Sequence, residues 1–361
     1  MLLPLITFLI ILTRTYGSLD TIAVNQNISD GKTIISKNAI FELGFFSLGS
    51  SNNRYLGIWF AATSPPTIAW VANREHPLND TSGMVKLDSQ GILSIVNGRG
   101  TIMWSSNFSA SSPNTKPVAQ ILDTGNLVVR DETNANMENF IWQSFDHPGD
   151  TYLQHMKLGK NFITGKETYL TSWKSPDDPS PGDYTFKFLM VKGKYPEVYI
   201  MKGSSIETRI GPYNGIAFSG QPNYKPDPAQ INDIKMVINQ NEMYFAYSPT
   251  STTQFIRMVA TPGGKFDIFV LSLPNTEWFQ SLTYPIDYCD NFGLCGPYGT
   301  CSTATSPNCG CLKGFERSST DNNTSGCRRW STELDCGPGE GFLKVSSIKL
   351  PDTQNAVELD A

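Results

Sequence analysis

Short runs of β-branched and aromatic residues recur along the chain between clusters of Gly, Pro, Asn and Asp. Tyr55–Phe60, Thr67–Val71, Ile92–Val96, Asn126–Val129, Glu197–Met201, Met243–Tyr247 and Lys265–Leu271 have the composition of strands. Phe266, Ile268 and Val270 alternate with Lys265 and Asp267, the period-two pattern of a half-buried strand. Asn97-Gly98, Asn214-Gly215 and Pro262-Gly263-Gly264 supply turns, and Pro176 to Asp183 reads as a larger turn cluster. No segment sustains a helical period. The pattern predicts an all-β chain.

Two stretches repeat each other. Leu87-Asp-Ser-Gln-Gly-Ile-Leu-Ser-Ile leads to Ile102-Met103-Trp104-Ser105-Ser106, and Leu122-Asp-Thr-Gly-Asn-Leu-Val-Val-Arg leads to Ile141-Trp142-Gln143-Ser144. Each is a Gly-containing turn, a strand, and then a strand with one Trp. A three-fold β-prism is built from such units, each placing a Trp in a shared core.

Composition narrows the class. Of the 361 residues 17% are charged and the net charge is −5, which leaves no basic footprint for nucleic acid or anionic lipid. Leu2 to Leu12 is almost continuously apolar, with small residues at Thr15 and Gly17, so residues 1–19 are expected to be a secretory signal peptide. Nothing after Leu12 is long enough to read as a membrane anchor. Asn27, Asn79, Asn107 and the adjacent Asn322 and Asn323 stand in N-glycosylation sequons. All seven cysteines lie between Cys289 and Cys336, leaving the preceding part to hold by its apolar core. Together these features predict a secreted, extracellular chain.

Catalytic and metal chemistry is weakly represented. His76 and His147 each precede a Pro, and Ser144, His147 and Asp150 could form a triad only without a nucleophile elbow. The kinase motifs H-R-D and D-F-G do not occur. The cysteines run C-x5-C-x5-C-x7-C-x-C-x15-C from Cys289 to Cys327, with no paired CxxC or neighbouring His for zinc. Asp287 alone is a poor calcium site. Six cysteines in an oxidising compartment suggest disulfides, though spacing leaves fifteen pairings open. No enzyme activity, metal or cofactor is expected.

Specific motifs then accumulate: Phe41-Glu-Leu-Gly-Phe-Phe46, Tyr55-Leu-Gly-Ile-Trp59, Trp70-Val-Ala-Asn-Arg74, Asp123-Thr-Gly-Asn-Leu-Val-Val129, Trp142-Gln-Ser-Phe145, Leu170-Thr-Ser-Trp-Lys-Ser175 and Gly310-Cys-Leu-Lys-Gly-Phe315. In order and over nearly the whole chain, they resemble the ectodomain of plant S-locus glycoproteins and bulb-lectin S-domain receptor-like serine/threonine kinases. The resemblance implies a bulb-type lectin domain over 20–150, a second lectin-like domain over 151–284, an EGF-like module over 285–327 and an incomplete PAN/apple segment over 328–361. It implies the pairs Cys289–Cys301, Cys295–Cys309 and Cys311–Cys327, with Cys336 left unpaired because its PAN partner would lie downstream. It also implies recognition of a peptide or protein, such as a small cysteine-rich peptide in pollen recognition or a signal in defence or development, beside a membrane receptor kinase of the same family. The alternative is a soluble mannose-binding lectin. Bulb lectins bind mannose through Q-x-D-x-N-x-V-x-Y. Here Leu122, Thr124, Asn126, Val128 and Arg130 align with it, so only Asn126 and Val128 remain; the earlier unit aligns as Leu87, Ser89, Gly91, Leu93 and Ile95.

Overall fold

The computed structural model describes residues 20–106, 115–191, 195–219, 232–249, 251–318, 325–330, 343–345 and 348–349. The expected signal peptide, Asn107, Asn322, Asn323 and Cys336 lie outside the described residues.

The chain is all-β, with two short 3-10 turns at Ser144–Asp146 and Tyr288–Asp290 among the described residues. The first unit comprises β1 (Thr21–Ala23), β2 (Asn27–Ser29), β3 (Thr33–Ile35), β4 (Phe41–Phe46), β5 (Tyr55–Phe60) and β6 (Thr67–Val71). It continues through β7 (Met84–Leu87), β8 (Leu93–Val96), β9 (Ile102–Ser105), β10 (Pro117–Ile121), β11 (Leu127–Asp131) and β12 (Phe140–Gln143). These form three antiparallel four-stranded sheets in the orders β1-β10-β11-β12, β2-β7-β8-β9 and β3-β4-β5-β6. Each of the first three short strands is therefore the edge of a different sheet, which ties the N-terminal stretch across the whole unit.

The sheets meet at a common centre. Each contributes one indole from its last strand: Trp70 opposite Ile58, Trp104 opposite Ile95, and Trp142 opposite Val129. The three rings stand edge to face with centroids 5.9 to 6.2 Å apart. Edge-to-face packing sets the positive rim of one ring against the negative face of the next, adding to the burial of apolar area. A second three-fold feature follows just after each Trp. The side chains of Asn73, Ser106 and Ser144 accept the backbone N–H of Leu56, Leu93 and Leu127 at 2.8, 3.2 and 2.9 Å. Each thereby satisfies a buried donor where the middle strand begins.

The second unit again forms three four-stranded antiparallel sheets, with different residues and, in one sheet, a different strand connection. Its strands are β13 (Thr151–Tyr152), β14 (Leu158–Asn161), β15 (Glu167–Thr168), β16 (Leu170–Ser175), β17 (Asp178–Val191) and β18 (Tyr195–Lys202). They are followed by β19 (Ser205–Ile210), β20 (Asn232–Ile238), β21 (Glu242–Pro249), β22 (Gln254–Ala260), β23 (Phe266–Ser272) and β24 (Phe279–Tyr284). The sheets are β13-β22-β23-β24, β15-β14-β21-β20 and β16-β17-β18-β19. The turn cluster expected over Pro176 to Asp183 is corrected here: only Pro176 and Asp177 turn, and β17 already starts at Asp178. Register shifts between Thr171 and Ser175 let a strand carry Pro179 and Pro181, which cannot donate to a regular ladder. Gly182 allows the close approach, since a Cβ there would lie 2.3 Å from the Trp173 carbonyl oxygen.

The two units share a packed junction. Trp278 of the second unit stands edge-on to Phe60 of the first at 4.7 Å and donates its indole N–H to Thr67 Oγ1 at 3.1 Å. In the other direction, Arg74 reaches the Ser172 carbonyl oxygen at 3.2 Å; within the first unit the Trp70 indole donates to the His147 carbonyl oxygen at 2.8 Å.

The cysteine-rich segment adds two hairpins, β25 (Gly299–Cys301) with β26 (Cys309–Cys311), and β27 (Phe315–Arg317) with β28 (Cys327–Arg329). It sits against β19, where Phe292 donates its N–H to the Glu207 carbonyl oxygen at 2.8 Å. Behind that edge, Arg209 and Glu197 form a buried ion pair at 2.9 Å, and the Tyr199 hydroxyl donates to the same carboxylate.

Candidate functional site

The lectin-motif residues lie on the sheet β1-β10-β11-β12. The turn ahead of β11 is closed by the Leu122 N–H donating to the Asn126 carbonyl oxygen, and the Gly125 N–H to that of Leu122, both at 2.9 Å. Gly125 takes φ +83°, and a Cβ there would come within 2.8 Å of the Phe41 ring, so the turn needs glycine twice over.

Asn126 is only 3% exposed. Its amide donates to Gln143 Oε1 at 2.9 Å, while its Oδ1 accepts from Ser144 Oγ and from the Phe145 N–H, each at 3.2 Å. Its side chain braces the sheet to the turn at Ser144–Asp146. Val128 is fully buried. Arg130 donates from Nε to Gln120 Oε1 at 3.0 Å, and Gln120 donates in turn to Asp20 at 2.8 Å. The outer face of this sheet is thus a network of internal polar bonds.

In the earlier unit the expected alignment is one residue out of step. There the Asp88 N–H donates to the Ile92 carbonyl oxygen and the Gly91 N–H to that of Asp88. Asp88 therefore stands where Leu122 does, Gly91 with Gly125, and Ile92 with Asn126. The motif positions become Asp88, Gln90, Ile92, Ser94 and Val96 in place of Leu87, Ser89, Gly91, Leu93 and Ile95. A one-residue slip exchanges the two faces of a strand, which is why Leu93 and Ile95 are fully buried core. Asp88 is occupied by its own turn, accepting from the N–H groups of Gln90 and Ile92 at 2.9 and 2.8 Å.

The remaining sequence candidates separate. Ser144 is engaged by Asn126 and Leu127, the His147 ring stacks on Trp142 at 5.7 Å, and Asp150 bonds Thr151 Oγ1 at 3.0 Å. These three groups serve three different neighbours. Asp150 is half-buried at the junction between the units with the guanidinium groups of Arg74 and Arg257 nearby; desolvation dominates and pushes its carboxyl up to about 6. Sequence reasoning missed this cluster, whose partners are far apart along the chain. Burial also lowers the pKa of Arg257, to about 10, so its guanidinium stays charged at neutral pH.

Disulfides join Cys289 to Cys301, Cys295 to Cys309 and Cys311 to Cys327, with Cα separations of 5.5, 5.4 and 5.8 Å. Asp287 caps the turn at Tyr288–Asp290, accepting the Cys289 N–H at 2.8 Å. On the surface Tyr298 stacks over Phe315 at 5.1 Å, the Arg329 guanidinium lies 5.9 Å from the same ring, and Trp330 is 71% exposed. Of the described sequon residues, Asn27 and Asn79 are both exposed.

Residues 67–174 match the model of the D-mannose binding lectin domain, and residues 208–319 match that of the S-locus glycoprotein domain. The chain is 38% identical over 359 residues to the S-locus-specific glycoprotein of Brassica oleracea var. alboglabra, covering 94% of this chain and 79% of that protein. This chain belongs to the S-locus glycoprotein family. Within that family it is also 38% identical over 356 residues to the receptor-like serine/threonine-protein kinase SD1-8 of Arabidopsis thaliana, of which it spans 41%. Among solved structures, the mannose-specific agglutinin from snowdrop bulbs covers 33% of this family member at 14% identity and a TM-score of 0.25. The two-domain Scilla campanulata agglutinin covers 72% at 14% identity and a TM-score of 0.23. No described helix of the chain is long and apolar enough to cross a membrane.

Proposed function

We propose that this chain is an extracellular, non-enzymatic recognition module of the S-domain receptor family that binds a peptide or protein ligand. Its mannose-type sugar site is closed. The supporting observation is Asn126: the one hydrogen-bonding residue left from the lectin motif spends its amide on Gln143, Ser144 and Phe145. In this copy Leu122, Thr124 and Arg130 stand where the motif has Gln, Asp and Tyr, which removes polar contacts that would select a sugar there. The exposed aromatics of the disulfide-bonded module suit protein contact, since Tyr and Trp offer large rigid areas with little entropy to lose.

In this reading 1–19 is a signal peptide, 20–150 a bulb-type lectin domain and 151–284 a second lectin-like domain. An EGF-like module over 285–327 and the start of a PAN/apple module over 328–361 follow. The ligand is of the class of small cysteine-rich peptides, with a receptor kinase of the same family as co-receptor. Asn27, Asn79, Asn107, Asn322 and Asn323 carry glycans, and Cys336 has no partner within the chain.

Carbohydrate binding is the second reading, favoured by the match of residues 67–174 to the D-mannose binding lectin domain. Calorimetry of the secreted chain with a panel of cysteine-rich peptides, alongside chromatography on mannose-agarose, separates the two. Saturable peptide binding weakened by Tyr298→Ala or Trp330→Ala supports the first reading. Retention on mannose with no peptide binding overturns it.

A further inference from the structure

The centre of the second unit is hollow. A cavity of about 270 Å³ lies among its three sheets, with walls that include Phe188 and Val198, Met236 and Phe245, and Phe266 and Ile268. In the first unit the middle-strand residues Ile58, Ile95 and Val129 each face a Trp on the last strand. In the second unit the pairs lining the cavity are Val198 with Ile210, Phe245 with Met236, and Ile268 with Leu282, the last lying directly before a register shift as each Trp pair does. The partners in these pairs are aliphatic, where the centre of the first unit is filled by three bicyclic rings. The strands around them are held by continuous ladders, eight registered pairs between β17 and β18 alone, and do not collapse inward to fill the space.

Protein interiors are otherwise packed to the density of organic crystals, and empty apolar volume is costly to keep. This void also has a way in. At its rim Ile216 is 71%, Ile234 41% and Ile286 40% exposed, an apolar entrance beside the loop paired through Tyr213 and Phe218. Its chemistry is uniform, for no charged side chain lines it among the described residues. The hydroxyls of Tyr152 and Tyr213 are already donated to the Phe245 and Gly215 carbonyl oxygens at 2.8 and 3.0 Å. An anion or a polyhydroxylated sugar would find no partner inside.

We propose that the second unit binds a small, uncharged, apolar molecule in this cavity, of about the bulk of two aromatic rings. An apolar cavity of roughly 150 Å³ holds benzene, which sets the scale. The site is separate from the outer lectin face and from the disulfide-bonded module, and stands or falls independently of peptide recognition.

The test is fluorescence titration of the purified chain with N-phenyl-1-naphthylamine, an uncharged two-aromatic probe that brightens in apolar surroundings. The wild type binds one probe per chain, saturably. Leu282→Trp restores an indole at its register position in the first unit and weakens binding by at least about tenfold, while thermal unfolding shows the variant folded. If Leu282→Trp does not fold, Ile210→Phe and Met236→Phe fill the same space by smaller steps and lower the affinity in turn. Phe279→Ser alters an exposed surface residue and leaves the titration unchanged. Absence of saturable binding, binding undiminished in the filled variants, or loss of binding in Phe279→Ser would each overturn the proposal.

Discussion

Replacing Asn126 by Ala distinguishes a sugar ligand from a brace. The amide donates to Gln143 Oε1 and accepts from Ser144 Oγ and the Phe145 N–H, in a setting that leaves Asn126 3% and Phe145 8% exposed. Truncation removes all three bonds and strands the Phe145 N–H inside the protein. A lost bond costs about 1 kcal/mol net and an unpaired buried donor about 1–3 kcal/mol, so Asn126→Ala should destabilise the first unit by about 2–4 kcal/mol. For a unit of this size that is a fall in Tm of roughly 10 °C, followed by scanning calorimetry or by the fluorescence of the neighbouring tryptophans. Thr124→Ala is the control, because Thr124 is a motif position whose hydroxyl only accepts the Asn126 N–H at 3.3 Å. It should move stability by less than about 1 kcal/mol. A sugar ligand would behave in the opposite way. If Asn126→Ala unfolds within about 2 °C of the parent while retention on mannose-agarose disappears, the bracing role is refuted.

Three further outcomes are expected. Asp150, with its folded pKa raised to about 6 from the ordinary carboxylate value of 3.8, binds its proton more tightly folded than unfolded. Its burial therefore opposes folding above pH 6, and the penalty is relieved as pH falls from 6 towards 4. The stability of wild type minus that of Asp150→Asn should rise by about 2 kcal/mol between pH 7.5 and 4.5, and a flat difference would contradict the assignment. Trp142→Ala opens the centre of the indole trio and should cost about 3–5 kcal/mol, read as an early calorimetric transition of the first unit. Replacing Cys311 and Cys327 together by Ser frees a loop whose ends are 16 residues apart and should cost the module about 2–4 kcal/mol, seen as faster proteolysis after Cys309 with the two three-sheet units left intact.

What could be read in advance depended on how far apart the interacting residues lie. Strands β5 and β6 have the bounds that alternation and turn residues predict, because a hairpin's register is written locally. The edge strands β1, β2 and β3 are three residues long and carry no period of their own. β1 exists because Thr21 to Ala23 pairs with Val118 to Gln120, almost a hundred residues away. Trp104 and Trp142 could be matched through their flanking Gly turns and Ser residues. Trp70 belongs to the same trio, yet its bracing side chain is Asn73, one position further on and of another type, which hides the third copy. At the lectin face the residue type of Asn126 was informative about a turn. Its engagement by Gln143, Ser144 and Phe145 was not legible, because only the fold brings those residues to it.

The second unit takes this reasoning a step further. It too forms three four-stranded antiparallel sheets, one of them differently connected and with no Trp repeat to announce them, so such an architecture does not need the indoles to form. What the indoles supply in the first unit is volume, and in the second unit Ile210, Met236 and Leu282 supply much less. No inspection of any one strand reveals the consequence, because each of those residues is an ordinary core aliphatic by composition and period. The deficit exists only where three strands from distant parts of the chain converge. Ladder hydrogen bonds along each sheet are short-range and directional, whereas the core at the centre is non-directional. The first can therefore be kept while the second is emptied, which is how one strand plan yields both a filled core and a hollow one.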